Sequence, residues 1–459
     1  MPQRHLKTRF AAALLTLLCF ARTASSAGEV FTLRRCIDYA VQHNARLCTD
    51  RLSMEEAVQA RREVLGAFLP QITASAGLVR NFQKTTVAMP NFIASMMPES
   101  MRDPNAPKYM TVTMGMNYNA NYGVQLSQQL LNLQLMNAMK IARLAEDLST
   151  LGTEATTEEV IAQTAALYFG IRVMSIGAEL FDEALSLMDR TIETVEASGR
   201  SGLVREVDIK QIRVSRSNLE SEKQSMLLAL EIQKNLLKLQ MGLPMEESIE
   251  VDAMSPEELE ALVLSGGQTP FEPERLLPYR MFSKRQQMVE RQYSAALYET
   301  LPVLSLGANY ALNYMGDAFR GETFRHFPVS SVSLSLRVPL FTGLSKSAGI
   351  KKADIERKKA LIDGRALEGS LSMAYANARA SLERSLETMY SQKRNCALAR
   401  EALELAGANY AEGLSPLADL LNANSALISS RSGYINALGA CLNAHIELKK
   451  TDGTIKTLF

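Results

Sequence analysis

The chain has 459 residues, with 50 Lys and Arg against 49 Asp and Glu, and this near-neutral balance carries no nucleic-acid footprint. Its histidines, His5, His43, His326 and His445, are scattered, so no metal site, cofactor site or nucleophile constellation can be assembled from them, which argues against an enzyme. Beyond the first 27 residues no stretch approaches the roughly 18 apolar residues of a transmembrane helix, so any membrane passage is expected to be by strands.

Residues 1–27 read as a secretory signal peptide. Arg4, Lys7 and Arg9 precede the apolar run Phe10 to Phe20, and Ala24, Ser25, Ser26 and Ala27 suit cleavage before Gly28. Leu18 stands where a lipidation signal at Cys19 needs a small residue, so no lipid anchor is expected. Losing Arg4, Lys7, Arg9 and Arg22 leaves 46 basic against 49 acidic residues. Four cysteines remain: Cys36, Cys48, Cys396 and Cys441. The first two fall on one predicted helix, about 18 Å apart at ~1.5 Å per residue, beyond disulfide reach. Free buried thiols are the expectation, and nothing supports the conceivable Cys36 to Cys441 pair.

The remainder is written twice. Residues 28–241 and 274–459 each carry a helix, two strands and a long helical hairpin, joined by an acidic connector over 242–273. Leu69-Pro70 and Leu301-Pro302 open the strand pairs, at an offset of 232, whereas Gln129-Leu130-Leu131 and Val338-Pro339-Leu340 close them at 209. The first strand connection is therefore 23 residues longer, and the surplus falls around Met89 to Lys108. This Met- and Pro-rich insertion reads as an exposed outer loop.

The strands alternate cleanly. Ile72, Ala74, Ala76 and Leu78 oppose Gln71, Thr73, Ser75 and Gly77. In the next segment Met114, Met116, Tyr118, Ala120, Tyr122, Val124 and Leu126 oppose Gly115, Asn117, Asn119, Asn121, Gly123, Gln125 and Ser127. The second repeat matches them with Leu304 to Tyr314 and with Val332, Leu334, Leu336 and Val338. An export signal, a Gly/Ser/Asn-rich face and tyrosines Tyr118, Tyr122, Tyr310 and Tyr314 placed for a girdle favour a membrane barrel over a half-exposed soluble sheet. Four strands cannot close a barrel, and open edges in lipid leave backbone groups unpaired. A dimer would give eight strands and a filled lumen; a homotrimer gives twelve and room for a pore, and is expected.

From Leu135 to Ser198, and again from Leu344 to Ala408, no proline interrupts, and each stretch would reach roughly 100 Å as a helix. Leu144, Leu148 and Leu151, then Leu185, Met188, Ile192 and Val195, step by threes and fours as coiled-coil seams. Return helices follow the turns Gly202-Leu203 and Gly413-Leu414, which place Asp208 and Asp419 at equivalent positions. The connector, with Glu246, Glu247, Glu250, Asp252 and Glu257, reads as a solvated acidic linker.

At this point the sequence resembles the TolC-like outer-membrane efflux proteins. The resemblance rests on Phe31 to Asn44 as an opening helix, on Leu69-Pro70 and Leu301-Pro302, and on Val338-Pro339-Leu340-Phe341-Thr342-Gly343. It also rests on Asn409-Tyr410-Ala411-Glu412-Gly413-Leu414 with Asp419-Leu420-Leu421. It implies a mixed α and β trimer with a twelve-stranded barrel in the outer-membrane lipid of a Gram-negative cell. A long α-helical coiled-coil periplasmic tunnel would continue it. Such a duct passively exports small molecules, working with a periplasmic adaptor and an inner-membrane transporter. The alternatives are the duct of a type I protein secretion system, or an outer-membrane adhesion protein using the insertion as its ligand loop. The resemblance carries gate roles to Asp208, Asp419 and Tyr410. It departs at Asn422, where some members have an acid, and at Ser415, where some have an arginine.

Overall fold

The computed structural model describes residues 30–98, 101, 106–200, 205–264, 270–318 and 325–458, so the signal segment lies outside the described residues. It divides into two compact units, each drawn from both halves of the chain.

One unit, Glu55–Asp147 with Lys284–Leu361, holds the longer strands. β2 (Gln71–Arg80), β5 (Tyr118–Leu131), β7 (Val303–Gly316) and β8 (Arg325–Arg337) form a four-stranded antiparallel sheet in the order β2-β5-β7-β8. Register turns the alternation of each strand into a property of the whole sheet. Ile72 lies opposite Leu126, Leu126 opposite Ala308, and Ala308 opposite Val332, so one apolar row crosses all four strands. Ser75, Gly123, Ala311 and Val329 run across the other face, with Thr73, Gln125, Asn309 and Ser331 in the neighbouring row. The apolar face is bare within the chain: Val332 is 79% exposed and Ile72 67%.

The longer segment predicted from Met114 is two strands. β3 (Thr85–Pro90) and β4 (Tyr109–Met114) form a separate hairpin, with the short helix α3 (Phe92–Met96) between them. Gly115, at φ +100°, breaks the chain before β5 begins at Tyr118. Met114 and Met116 thus leave the main sheet. The hairpin strands flank the insertion, which itself holds the end of β3 and the helix α3, with residues 99–100 and 102–105 outside the described residues.

The other unit, drawn from Met1–Met54, Leu148–Ser283 and Ile362–Phe459, is helical. The single opening helix expected through Cys36 and Cys48 is two, α1 (Leu33–His43) and α2 (Ala45–Gly66). Asn44 separates them: its side-chain oxygen accepts from the backbone of Arg46 and Leu47, and its amide donates to the Gln240 carbonyl at 2.7 Å. One residue thereby caps α2 and ties it to the end of α5 (Glu206–Met241). Gly242 closes α5 in the left-handed region at φ +77°, and a Cβ there would stand 2.6 Å from the His43 carbonyl oxygen. The four thiols are free; Cys36 and Cys441 are buried, Cys396 half-buried and Cys48 exposed. Burial, helped by nearby Asp252, pushes the Cys36 thiol up to about 12.

α7 (Leu277–Tyr298) leads into β7, and α4 (Leu133–Arg200) and α8 (Ser345–Ala411) are the two long helices, of 68 and 67 residues. Contrary to expectation, α4 contains a window apolar enough to cross a membrane, but 67% of that window is buried inside the protein. Its apolar residues build the core instead, where Tyr168, Phe169 and Ile171 meet Leu237 and Met241 of α5 and Leu438 and Leu442 of α9 (Leu417–Thr451). The predicted seam residues Leu185, Met188 and Val195 are buried.

The connector is not a solvated strap. Glu250–Val251 forms β6, which pairs in parallel with β1 (Val30–Phe31), and Pro256–Leu264 forms α6, whose Leu259 and Val263 join the core. Glu260 of α6 is 8% exposed. It accepts from Lys393 Nζ of α8 at 2.9 and 2.8 Å and from the Tyr434 hydroxyl of α9 at 2.5 Å. Burial first, then this bond to Glu260, holds the Tyr434 phenol well above its usual range. Asp252 accepts from Tyr168, and Arg172 Nε donates to the Met254 carbonyl at 2.8 Å.

His445 of α9 is buried, and its Nδ1 has no hydrogen-bond partner. Burial lowers its pKa, Lys449 lowers it further, and Asp452 opposes them. A folded pKa below the unfolded ~6.5 means the unfolded chain binds the proton first. Stability should therefore be complete above about pH 6.5 and fall as pH drops below it. Denaturant midpoints between pH 7.5 and 5 should show this loss, and His445→Leu should flatten it; an unchanged slope would assign the loss to other groups.

Candidate functional site: two helical turns

The α8–α9 turn follows from its sequence. Gly413 takes φ +73°, its N–H donates to the Tyr410 carbonyl at 3.0 Å, and Leu414 N–H reaches the Asn409 carbonyl at 2.8 Å. This is a Schellman-type close, and Pro416 then starts α9. Asp419 falls in the first turn of α9, where the helix dipole favours a carboxylate. Asp419 is exposed and makes no ion pair among the described residues; Asn422, one turn on, is exposed too, as is Leu414. The matching turn, with Gly202 and Leu203, lies outside the described residues.

Asp208, in the first turn of α5, is mostly covered and held by Arg205 in a two-pronged pair at 3.0 and 2.8 Å. Tyr410 packs half-buried against the cluster of Met188, Val195, Ile212, Leu417 and Leu421. Burial raises its phenol pKa, and the charge of Asp208 raises it further. The fold thus brings Tyr410 and Asp208 together within one chain, while the carboxylate hydrogen-bonds to Arg205. Arg205 escaped notice in the sequence, although a cation three residues before an acid at a helix start is a readable signal.

Cross-helix ion pairs join the helices here. Arg213–Glu196, Arg216–Asp189 and Lys223–Asp182 link α5 to α4, and Arg431–Glu183 links α9 to α4. Beside Tyr410 lies a groove of about 490 Å³ between α4, α8 and α9, with Met188, Leu403, Gly407 and Leu421 in its wall and Arg190 and Arg400 at its rim. Among the described residues no cluster of His, Cys, Asp and Glu is suited to a metal ion.

Residues 281–454 match the family model for outer membrane efflux proteins. Among curated proteins, none matches the chain in sequence. Among solved structures, the outer membrane protein VceC of Vibrio cholerae superimposes with a TM-score of 0.71 at 16% identity, covering 92% of this chain and 96% of that one. The CmeC outer membrane channel of Campylobacter jejuni gives 0.70 at 15% identity, covering 94% and 90%. The open state of the MtrE outer membrane channel of Neisseria gonorrhoeae gives 0.70 at 18%, covering 92% and 88%. These likenesses are to outer membrane proteins, two of them channels. The chain therefore carries the sequence signature of the outer membrane efflux proteins over residues 281–454, and the fold of the TolC-like outer-membrane channels over more than nine-tenths of its length.

Proposed function

We propose that the chain is the outer-membrane exit duct of a tripartite efflux pump, working as a homotrimer with a periplasmic adaptor and an inner-membrane transporter. The observation that carries this reading is the four-stranded sheet, apolar and bare on one face, polar on the other, with β2 and β8 as open edges. In lipid those edges must be paired, and three copies give a twelve-stranded barrel with a polar lumen. The helices support the same assembly. Val207, Val214, Leu228, Ile232, Leu236 and Leu239 on α5 are exposed, as are Ile355, Ile362, Met373, Leu398 and Leu405 on α8, at spacings suited to neighbouring helices. The repeats 28–241 and 274–459 each supply two strands and one hairpin to the wall.

Asp419 and Tyr410 form the gate in this reading. Three exposed Asp419 carboxylates around a threefold axis make a negative ring that attracts cations. Asp208 and Tyr410 hold the closed hairpins, with Asn422 and the Gly202-Leu203 and Gly413-Leu414 turns shaping the opening. Purified protein in planar bilayers should form cation-selective pores. Asp419→Ala should reduce that selectivity and weaken block by multivalent cations by about tenfold, and Tyr410→Phe should raise open probability. Absence of conductance, or detergent-purified monomers with intact strands, would overturn the duct; wild-type selectivity and block in Asp419→Ala would overturn the ring alone.

A further inference from the structure

The apolar face of the sheet ends in an arginine and a histidine. Along β2 the row Ile72, Ala74, Ala76 and Leu78 terminates in Arg80, and along β8 the row Leu336, Leu334 and Val332 runs past Ser330 and Pro328 to His326. β2 follows α2 and β8 leads toward α8, so Arg80 and His326 share the end remote from the helices. Both are exposed. The Arg80 guanidinium lies 5.2 Å from the centre of the Phe82 ring and 5.6 Å from that of Tyr118, and makes no hydrogen bond or ion pair among the described residues. Phe82 is itself 86% exposed. His326 lies 5.7 Å from the Tyr314 ring, whose hydroxyl is 3.0 Å from that of Tyr122. A guanidinium stacked on rings keeps its in-plane N–H fork, which matches a phosphate.

Height decides what meets these groups. From Leu304 to Tyr314 the apolar row of β7 spans about 34 Å along the strand at ~3.4 Å per residue, or roughly 25 Å of membrane once tilted as barrel strands are. Arg80, Phe82 and His326 then stand just beyond the hydrocarbon, at the level of lipid headgroups. Arg80 and His326 stand also on the two edge strands, so closing the barrel brings β2 of one copy beside β8 of the next.

We propose that each seam between copies binds the phosphate headgroup of an outer-leaflet lipid, with Arg80 of one copy and His326 of the next donating to the phosphate and the aromatic rings seating its acyl boundary. This rests on the trimeric barrel proposed above. Native mass measurement of the detergent-purified protein, titrated with a phosphorylated lipid A and with its dephosphorylated form, tests it. The wild-type trimer should retain the phosphorylated lipid, with retention about fivefold weaker for each of Arg80→Gln and His326→Gln, and only partly restored in Arg80→Lys, which keeps the charge but not the planar fork. Inorganic phosphate at equal concentration should not displace the lipid. Equal retention by variants and wild type, or of both lipid forms, would overturn the proposal while leaving the trimer standing. Displacement by inorganic phosphate would overturn the lipid as the ligand, and a failure to form trimers would remove the barrel and this site together.

Discussion

Replacing Glu260 by Ala should destabilise the protein by about 2–3 kcal/mol. Truncating one member of a buried pair strands its partners, at a cost approaching 3–5 kcal/mol where both charges are fully buried. Here the Lys393 side chain is 45% exposed and can recover some hydration, so the lower range applies. The Tyr434 hydroxyl loses its acceptor as well. Glu260→Gln keeps an acceptor for Tyr434 but not the charge for Lys393, and should fall about midway. Denaturant unfolding of the detergent-solubilised protein, followed by helical circular dichroism, measures both. A loss below about 0.5 kcal/mol for Glu260→Ala would mean that α6 rests on Leu259 and Val263 alone.

The second large effect separates the two faces of the sheet. Val332 and Ser333 are adjacent on β8, yet Val332 lies in the apolar row with Ala308 and Ser333 opposite Gly307 on the polar face. An arginine on the lipid side costs about 2–4 kcal/mol near the bilayer midplane, whereas a lumen-facing one is solvated. Val332→Arg should therefore lower the yield of assembled trimer in the outer membrane at least tenfold, while Ser333→Arg should assemble and alter conductance. Separation of heat-sensitive trimer from monomer on gels reads the difference. Equal assembly of the two variants would contradict the assignment of faces.

How legible was this in the sequence? The alternating strands and the long helices were, because both periodicities are local and run for ten residues or more. Register was not, since β5 pairs with β7 across nearly two hundred residues and nothing in one strand names its partner. The split at Asn44 was hidden because no Gly or Pro marks it; a single side chain makes the break by capping one helix and gripping another. The connector misled for a similar reason. Its acids looked solvated, and the partners of Glu260 lie 133 and 174 residues downstream. At the described turn Gly413 was readable from the repeat, as were Asp208 and Asp419 in the first turns of α5 and α9, while the Gly202 turn lies outside the described residues. The grip of Arg205 on Asp208 depends on side-chain geometry that spacing only hints at.

The order of strands in the sheet also governs when it can exist. β2 and β5 come from the first repeat, and two strands alone do not make a stable sheet in water. Their inner neighbour β7 begins only at Val303, after both helices of the first hairpin and the whole connector have emerged. Pairing at such separation is slow, and until it happens the apolar row from Ile72 to Leu126 faces water with a free edge beside it. The helical hairpins can close from local contacts long before this. A newly exported chain therefore passes through a period with folded rods and an exposed, sticky ribbon, during which completion of the sheet competes with aggregation.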